Sequence, residues 1–417
     1  MASERDATMK PPPVCPHRRP WFPACCALLL LVGCAVAARA YDAVPEGGAA
    51  PGVVWAYVTH GGYSRPSGVS RFVVDGRGGV LVPATPAAAP ADLPGAPARI
   101  VIHPGRRFAY VAHAGDGRLM IRPYRIGGDG AFVPLAPAAA PRMPEGETAP
   151  WFALTPDGRS GYTVARKSDT LWRYAVDAQT GALSVVTRDA VEALDAPPGA
   201  SSLVFAPGGG FAYAVGDRRI GQYRVVAGGS GGDGVLAPLS PPSVDLGTSW
   251  PYPRPLVLRP DGRTAYVISN GAGVVRQFRI GADGVMAPLT PAAVSLGQNA
   301  APVEMAITPD GRFAYLIYST GNKIITPFRV GEDGALSPLA SGAIPTGDDP
   351  ESIAVDPSGR WLYVLCRVNN ASAGKEDAGT IWQYQVGDDG ALSPLSPARL
   401  ELSDVPRAIA FLRRGTP

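Results

Sequence analysis

Cysteine is nearly absent from the part of the chain able to fold. Of five cysteines in 417 residues, Cys15, Cys25, Cys26 and Cys34 fall within the first forty, and Cys366 stands alone beyond them. An intrachain disulfide and a thiolate metal cluster are therefore both excluded from the folded part. Histidine is scarce as well, with only His60, His103 and His113 after residue 40. Other metal sites need convergent Asp, Glu, Asn or His ligands, and the acids are spread singly along the chain, so no metal site is read. Charge of one sign is missing too. Residues 1–40 hold five basic residues (Arg5, Lys10, Arg18, Arg19, Arg39) against Glu4 and Asp6, and the remainder balances at 33 basic against 33 acidic. A neutral domain has no electrostatic footprint for nucleic acid. No Gly-x-Ser-x-Gly elbow, Walker loop or dinucleotide fingerprint occurs, so no cofactor is expected. Helical periodicity is also lacking.

Glycine (51) and proline (45) are abundant. Such a level marks disorder only when no period lies behind it, and here a period exists. A Pro-(Asp/Ser/Gly)-Gly-(Arg) turn followed by an aromatic-Ala-Tyr-Val strand recurs at Pro104–Val111, Pro156–Val164, Pro207–Val215, Pro260–Val267, Pro309–Leu316 and Pro357–Val364. A seventh strand, Trp55-Ala56-Tyr57-Val58, lacks the turn. The strand tyrosines Tyr57, Tyr110, Tyr162, Tyr213, Tyr266, Tyr315 and Tyr363 are spaced by 53, 52, 51, 53, 49 and 48 residues. Each unit continues with a strand ending in Tyr/Phe-x-Val/Ile, then a glycine turn and an apolar strand, as in Asp283-Gly284 and Asp389-Gly390. Asp-Gly between apolar runs is a hairpin signal, because glycine supplies the positive φ of a tight turn. Four antiparallel strands per unit without helical pattern predict the blades of an all-β, seven-bladed β-propeller. The recurring aromatics fill the gaps between blades. The first unit begins at its second strand, and Val405-Pro406-Arg407-Ala408-Ile409-Ala410-Phe411 supplies its missing innermost strand. The C-terminus is thus expected to close the ring and leave no open edge.

The N-terminus predicts export. A basic His17-Arg18-Arg19 precedes an apolar run from Ala24 to Val36 with signal-peptide proportions, shorter than a comfortable membrane span. Ala38-Arg39-Ala40 is an A-x-A cleavage site, and Leu31-Val32-Gly33-Cys34 resembles a bacterial lipobox that would place a lipid on Cys34; both readings stay open, as does a start at Met9. The expected organisation is a signal over 1–40, a linker over 41–51, the propeller over 52–413 and a tail over 414–417. The destination is then the periplasm, the outer membrane as a lipoprotein, or the exterior, with membrane contact only through a lipid anchor.

The units resemble the Tyr-Val-Thr-Asn repeat propellers and the seven-bladed lactonase family, which includes a 6-phosphogluconolactonase; Tyr57-Val58-Thr59-His60 keeps three of the four motif residues. The resemblance implies a lactone-opening hydrolase. The catalytic branch of that family carries Gly-Pro-Arg-His at the start of inner strands. Here Tyr252-Pro253-Arg254-Pro255 and Val405-Pro406-Arg407-Ala408 keep Pro-Arg and lack His, and Ser201-Ser202 holds the corresponding place in the fourth repeat.

Lactone opening needs a base to activate water and a cation where the oxyanion forms. Aligned strand starts bring Arg99, Glu147, Arg254, Glu304, Glu351 and Arg407 to one mouth of the channel. Glu304 or Glu351 is the candidate base, and Arg254, Arg407 and Arg99 are candidates for holding a substrate carboxylate or the oxyanion. His60 and His113 are expected on loops. The competing reading is that charged residues rim any water-filled channel and pair with one another. The ligand expected of an enzyme is a small anionic lactone or sugar acid. A non-catalytic propeller displaying loops to a protein or small-molecule ligand explains the missing His equally well. A concave pocket at the mouth with a carboxylate and an Arg within reach of one point would favour the enzyme, and a filled or featureless mouth would favour binding.

Overall fold

The structure, a computed structural model, describes residues 52–414 except 62–66, 85–92, 94, 96, 116–117, 136–150, 167, 187–193, 227–233, 248–255, 270–272, 298–299, 319–322 and 371–374. Seven antiparallel sheets are formed, five of four strands and two of five, and in all but the first the strands come from one continuous stretch of sequence. The second blade is typical: Pro97–Ile102 innermost, then Phe108–Gly115, Arg118–Ile126 and the short outer Phe132–Pro134. In the third and sixth blades the outer edge is split, so that Leu194–Asp195 and Ile344–Pro345 add a second short piece beside Leu183–Val185 and Leu336–Pro338. The first blade takes its innermost strand from the C-terminus. Pro406–Arg413 pairs antiparallel with Val54–His60, setting Tyr57 opposite Ala410. Ring closure by the last strand is as the repeat pattern predicted.

The core is a set of seams between blades. One seam gathers Trp55, Tyr57, Ile100, Val111, Tyr124 and Phe132 from the first and second blades, with the Tyr57 and Phe132 rings stacked at 4.3 Å. Burying an aromatic side chain of this kind stabilises by roughly 1.5–3 kcal/mol. The seven strand tyrosines also carry a polar role that the sequence pattern did not disclose. Each hydroxyl donates to the carbonyl of a hairpin glycine in the next blade: Tyr57 to Gly130 at 2.8 Å, Tyr110 to Gly181 at 3.0 Å, Tyr213 to Gly284 at 2.8 Å, Tyr266 to Gly334 at 2.6 Å and Tyr315 to Gly390 at 2.9 Å. Tyr162 to Gly234 and Tyr363 to Gly79 complete the set, the last joining the seventh blade to the first. At three seams a glutamine adds a second clasp, with Gln222, Gln277 and Gln383 Oε1 each accepting a backbone N–H of the following blade at 2.7 Å. A buried phenol must find a partner, and the carbonyl of a turn glycine is otherwise hard to satisfy, so the two needs meet at every seam.

Candidate functional site

The charged residues at the channel mouth are aimed by a repeated backbone irregularity. In the second and sixth blades the innermost strand begins with Pro97 or Pro302, in the seventh Pro350 is its second residue, and after each proline the register against the next strand slips by one residue. The first blade does the same after Pro406. Proline lacks a ladder donor and is tolerated at such strand starts. The extra residue of each bulge is Ala98, Val303, Glu351 or Arg407. Bulges re-aim side chains, and two of the four present opposite charges.

Glu351 and Arg407 come together: Arg407 Nη1 lies 3.6 Å from Glu351 Oε2, and Arg367 Nε lies 3.6 Å from Glu351 Oε1. Both members of the first pair are about one-quarter exposed. At 3.6 Å the contacts are ionic but longer than hydrogen bonds. The Nε atoms of Arg407, Arg367 and Arg99 are buried and have no hydrogen-bond partner. Next to the bulge layer lies a second set. Glu304 follows the bulge of the sixth blade, and its Oε2 accepts the backbone N–H of Ile353 in the seventh at 3.0 Å. Arg99 follows the bulge of the second blade, lies over the Trp151 indole with its Cζ 3.6 Å from the ring centroid, and feels the Glu304 carboxylate. Burial lowers its pKa to about 10, with the Glu304 charge opposing that shift. Trp151 is fixed in turn, its Nε1 donating to Leu203 O at 2.6 Å. Ser201 and Ser202 in the fourth blade have buried hydroxyls with no hydrogen-bond partner.

Of the residues expected at the mouth, Arg99, Glu304, Glu351 and Arg407 are described as set out here, whereas Arg254 and Glu147 lie outside the described residues, as does the lipidation candidate Cys34. Trp151 and Arg367 were missed. Trp151 was legible by counting: Arg99, Trp151, Ser202, Glu304 and Ser352 all stand five residues before the proline of their turn. Arg367 was not, because it reaches Glu351 from the neighbouring strand.

The histidines correct one expectation. His60 and His113 lie within strands, Val54–His60 and Phe108–Gly115, not on loops. They stand opposite the bulge prolines Pro406 and Pro97. His60 Nδ1 is 3.8 Å from Asp404 Oδ2; burial lowers its pKa while Asp404 resists. Burial, followed by the Arg122 charge, takes His113 down to about 4, which leaves it neutral and weakly basic at pH 7. His103 is near the opposite end of its strand, where Nδ1 accepts from Gly105 N–H at 2.9 Å and Nε2 faces Gly158 O at 3.0 Å. With both nitrogens engaged it is an inter-blade tie.

Comparison with known proteins adds a family likeness. Residues 255–416 match the family described as Lactonase, 7-bladed beta-propeller. The chain is a seven-bladed propeller whose C-terminal part is similar to that family. Among curated proteins none matches it. Among solved structures, the periplasmic gluconolactonase PpgL of Pseudomonas aeruginosa superposes with a TM-score of 0.68 at 17% identity, over 87% of this chain and 99% of that one. Two candidate 6-phosphogluconolactonases, from Bacteroides uniformis and Bacteroides fragilis, both superpose with a TM-score of 0.69. The former is 21% identical and the latter 19%; 87% of this chain is covered in each case, with 100% and 98% of theirs. At these identities the likeness to the three structures is one of fold.

Proposed function

We propose that this lactonase-like propeller hydrolyses a small anionic lactone, of the sugar-acid or organic-acid type, at the channel mouth. The observation that carries the reading is the Glu351 carboxylate held 3.6 Å from two guanidiniums whose Nε donors have no hydrogen-bond partner. A base and a cation thus serve one point, as ring opening requires. In this reading Glu351 takes the proton of the attacking water. Arg407 receives the substrate carboxylate or the developing oxyanion through its planar fork. Glu304 and Arg99 form the second carboxylate and guanidinium pair of the channel, and Arg254 adds a further cation from the fifth repeat. After water adds to the carbonyl carbon, the ring C–O bond breaks and the released alkoxide takes the proton from Glu351, giving the hydroxy acid.

Export completes the proposal. The apolar run at 24–36 and the periplasmic location of PpgL support a protein that works outside the cytoplasm, with Cys34 as the lipid site if the lipobox is processed. The test is a panel of γ- and δ-lactones assayed by proton release with the purified wild type, Glu304→Gln, Glu351→Gln, Arg407→Ala and Arg254→Ala. Turnover that falls in the Glu variants and weaker binding in the Arg variants is expected. Wild-type turnover no faster than buffer would replace hydrolysis with a ligand-binding propeller.

A further inference from the structure

The face opposite the candidate site carries a second charged feature that lactone hydrolysis does not use. Five of the six turns after the innermost strands keep glycine at one position with φ between +71° and +78°: Gly158, Gly209, Gly262, Gly311 and Gly359. The second blade breaks the pattern. Its turn reads Pro104-Gly105-Arg106-Arg107, and Arg106 occupies the glycine position with φ +57°. An L side chain is strained there, and such strain points toward function rather than folding. Arg106 and Arg107 line a cavity of about 280 Å³ between the first and second blades, together with Trp55, Gly127, Gly128 and Arg414.

The repeat supplies an internal control. The equivalent cavity between the sixth and seventh blades, about 170 Å³, is lined by Asp310, Arg312, Ser358, Gly359, Arg360 and Asp388, among others. Its two arginines are balanced by two aspartates. Counted along the repeat, Arg414 replaces Asp310, Arg106 replaces Gly359 and Gly128 replaces Asp388. Both acids have gone, and two arginines stand where the repeat has an acid and a glycine. Arg414 is held in place by donating to Gly128 O, and its backbone N–H bonds Val53 O at 3.1 Å. The neighbouring Asp129 is engaged elsewhere: Oδ1 accepts Ala131 N–H, and Oδ2 lies 3.7 Å from Arg71. Among the described residues no carboxylate pairs with Arg106, Arg107 or Arg414.

The geometry points to an anion site at the seam of the first and second blades, in which Arg106, Arg107 and Arg414 bind a phosphate group. Three guanidiniums match a dianion with several acceptor oxygens, which they can grip through paired N–H bonds. The cavity lies just below the size range of pockets that enclose drug-sized molecules, so it holds the phosphate with room for a small adjoining group, and any larger part of the ligand lies outside. A soluble phosphate compound and a phospholipid headgroup both present this chemistry.

Arg106→Gly tests the site, because it restores the residue of the other blades and relieves the backbone while removing one cation. Calorimetric titration of the full chain with inorganic phosphate and pyrophosphate should show saturable binding that Arg106→Gly and Arg414→Ala each weaken about tenfold or more. Melting of Arg106→Gly should stay at or above the wild-type temperature, and lactone turnover should not change, since neither arginine belongs to the mouth. Co-sedimentation with phosphatidylglycerol vesicles identifies the source. Binding that Arg106→Gly abolishes assigns a headgroup, and phosphate binding without vesicle binding assigns a soluble compound. No saturable phosphate binding by wild type, or equal affinity in Arg106→Gly, overturns the proposal.

Discussion

Replacing Tyr213 by phenylalanine isolates the hydroxyl clasp between blades from the packing of the ring. Tyr213 is fully buried, and its hydroxyl donates to Gly284 O at 2.8 Å. Burial above all, and then the nearby Asp283 charge, pushes its pKa well up, so the phenol remains a neutral donor throughout the pH range of interest. Phenylalanine keeps the ring and removes the donor, leaving the buried Gly284 carbonyl unsatisfied. That penalty is about 1–3 kcal/mol. Tyr213→Ala also opens a cavity and should cost about 3–5 kcal/mol. Gly284→Ala attacks the same seam from the other side. Gly284 has φ +82°, and an added Cβ would sit 2.2 Å from Phe211 Cδ1. Urea unfolding followed by circular dichroism should give midpoints in the order wild type, Tyr213→Phe, Tyr213→Ala, with similar slopes for the first two. A Tyr213→Phe midpoint equal to wild type, or as low as that of Tyr213→Ala, would refute the clasp as a separate contribution.

Deleting residues 404–417 removes the innermost strand of the first blade and exposes the edge of Val54–His60; gel filtration should show aggregation, whereas a monomer melting cooperatively at the full-length temperature would contradict the closure. Acid should weaken the fold through His113, whose folded pKa of about 4 lies below the ordinary 6.5. The unfolded chain then binds the proton first, so this contribution is complete above pH 6.5 and is lost as pH falls toward 4; His113→Gln should flatten the stability curve in that window relative to wild type, and an unchanged slope would count against it. Cys34→Ala should release the protein from the membrane fraction of a bacterial host if the lipobox is used, and an unchanged fraction would leave Ala38-Arg39-Ala40 cleavage or a retained anchor as the account.

The fold was legible because each blade repeats the same turn and strand chemistry. The Tyr-to-Tyr spacing, the Asp-Gly hairpins and the displaced strand at Pro406 together specify number, order and closure. What the linear pattern hid were contacts made between repeats. The tyrosine hydroxyls looked like part of an apolar filler, yet their partners are carbonyls some seventy residues onward. The mouth was partly legible. Arg99, Glu304, Glu351 and Arg407 follow from strand alignment, but the bulge that puts Glu351 and Arg407 in one layer is a register slip with no residue signature beyond its proline. Arg367 arrives from an adjacent strand, and Trp151 had to be read as a position in a seven-fold count. His60 and His113 were misplaced because their strands run past the Tyr-Val core of the repeat to the channel end.

The central claim is that Glu351, set beside Arg407, activates water for lactone opening. The direct measurement is kcat for proton release on a responsive lactone, compared between wild type and Glu351→Gln, with the melting temperature of each as the folding control. A fall of about a hundredfold or more at an unchanged melting temperature is expected when a general base is removed. A Glu351→Gln enzyme that turns over at the wild-type rate would contradict the assignment.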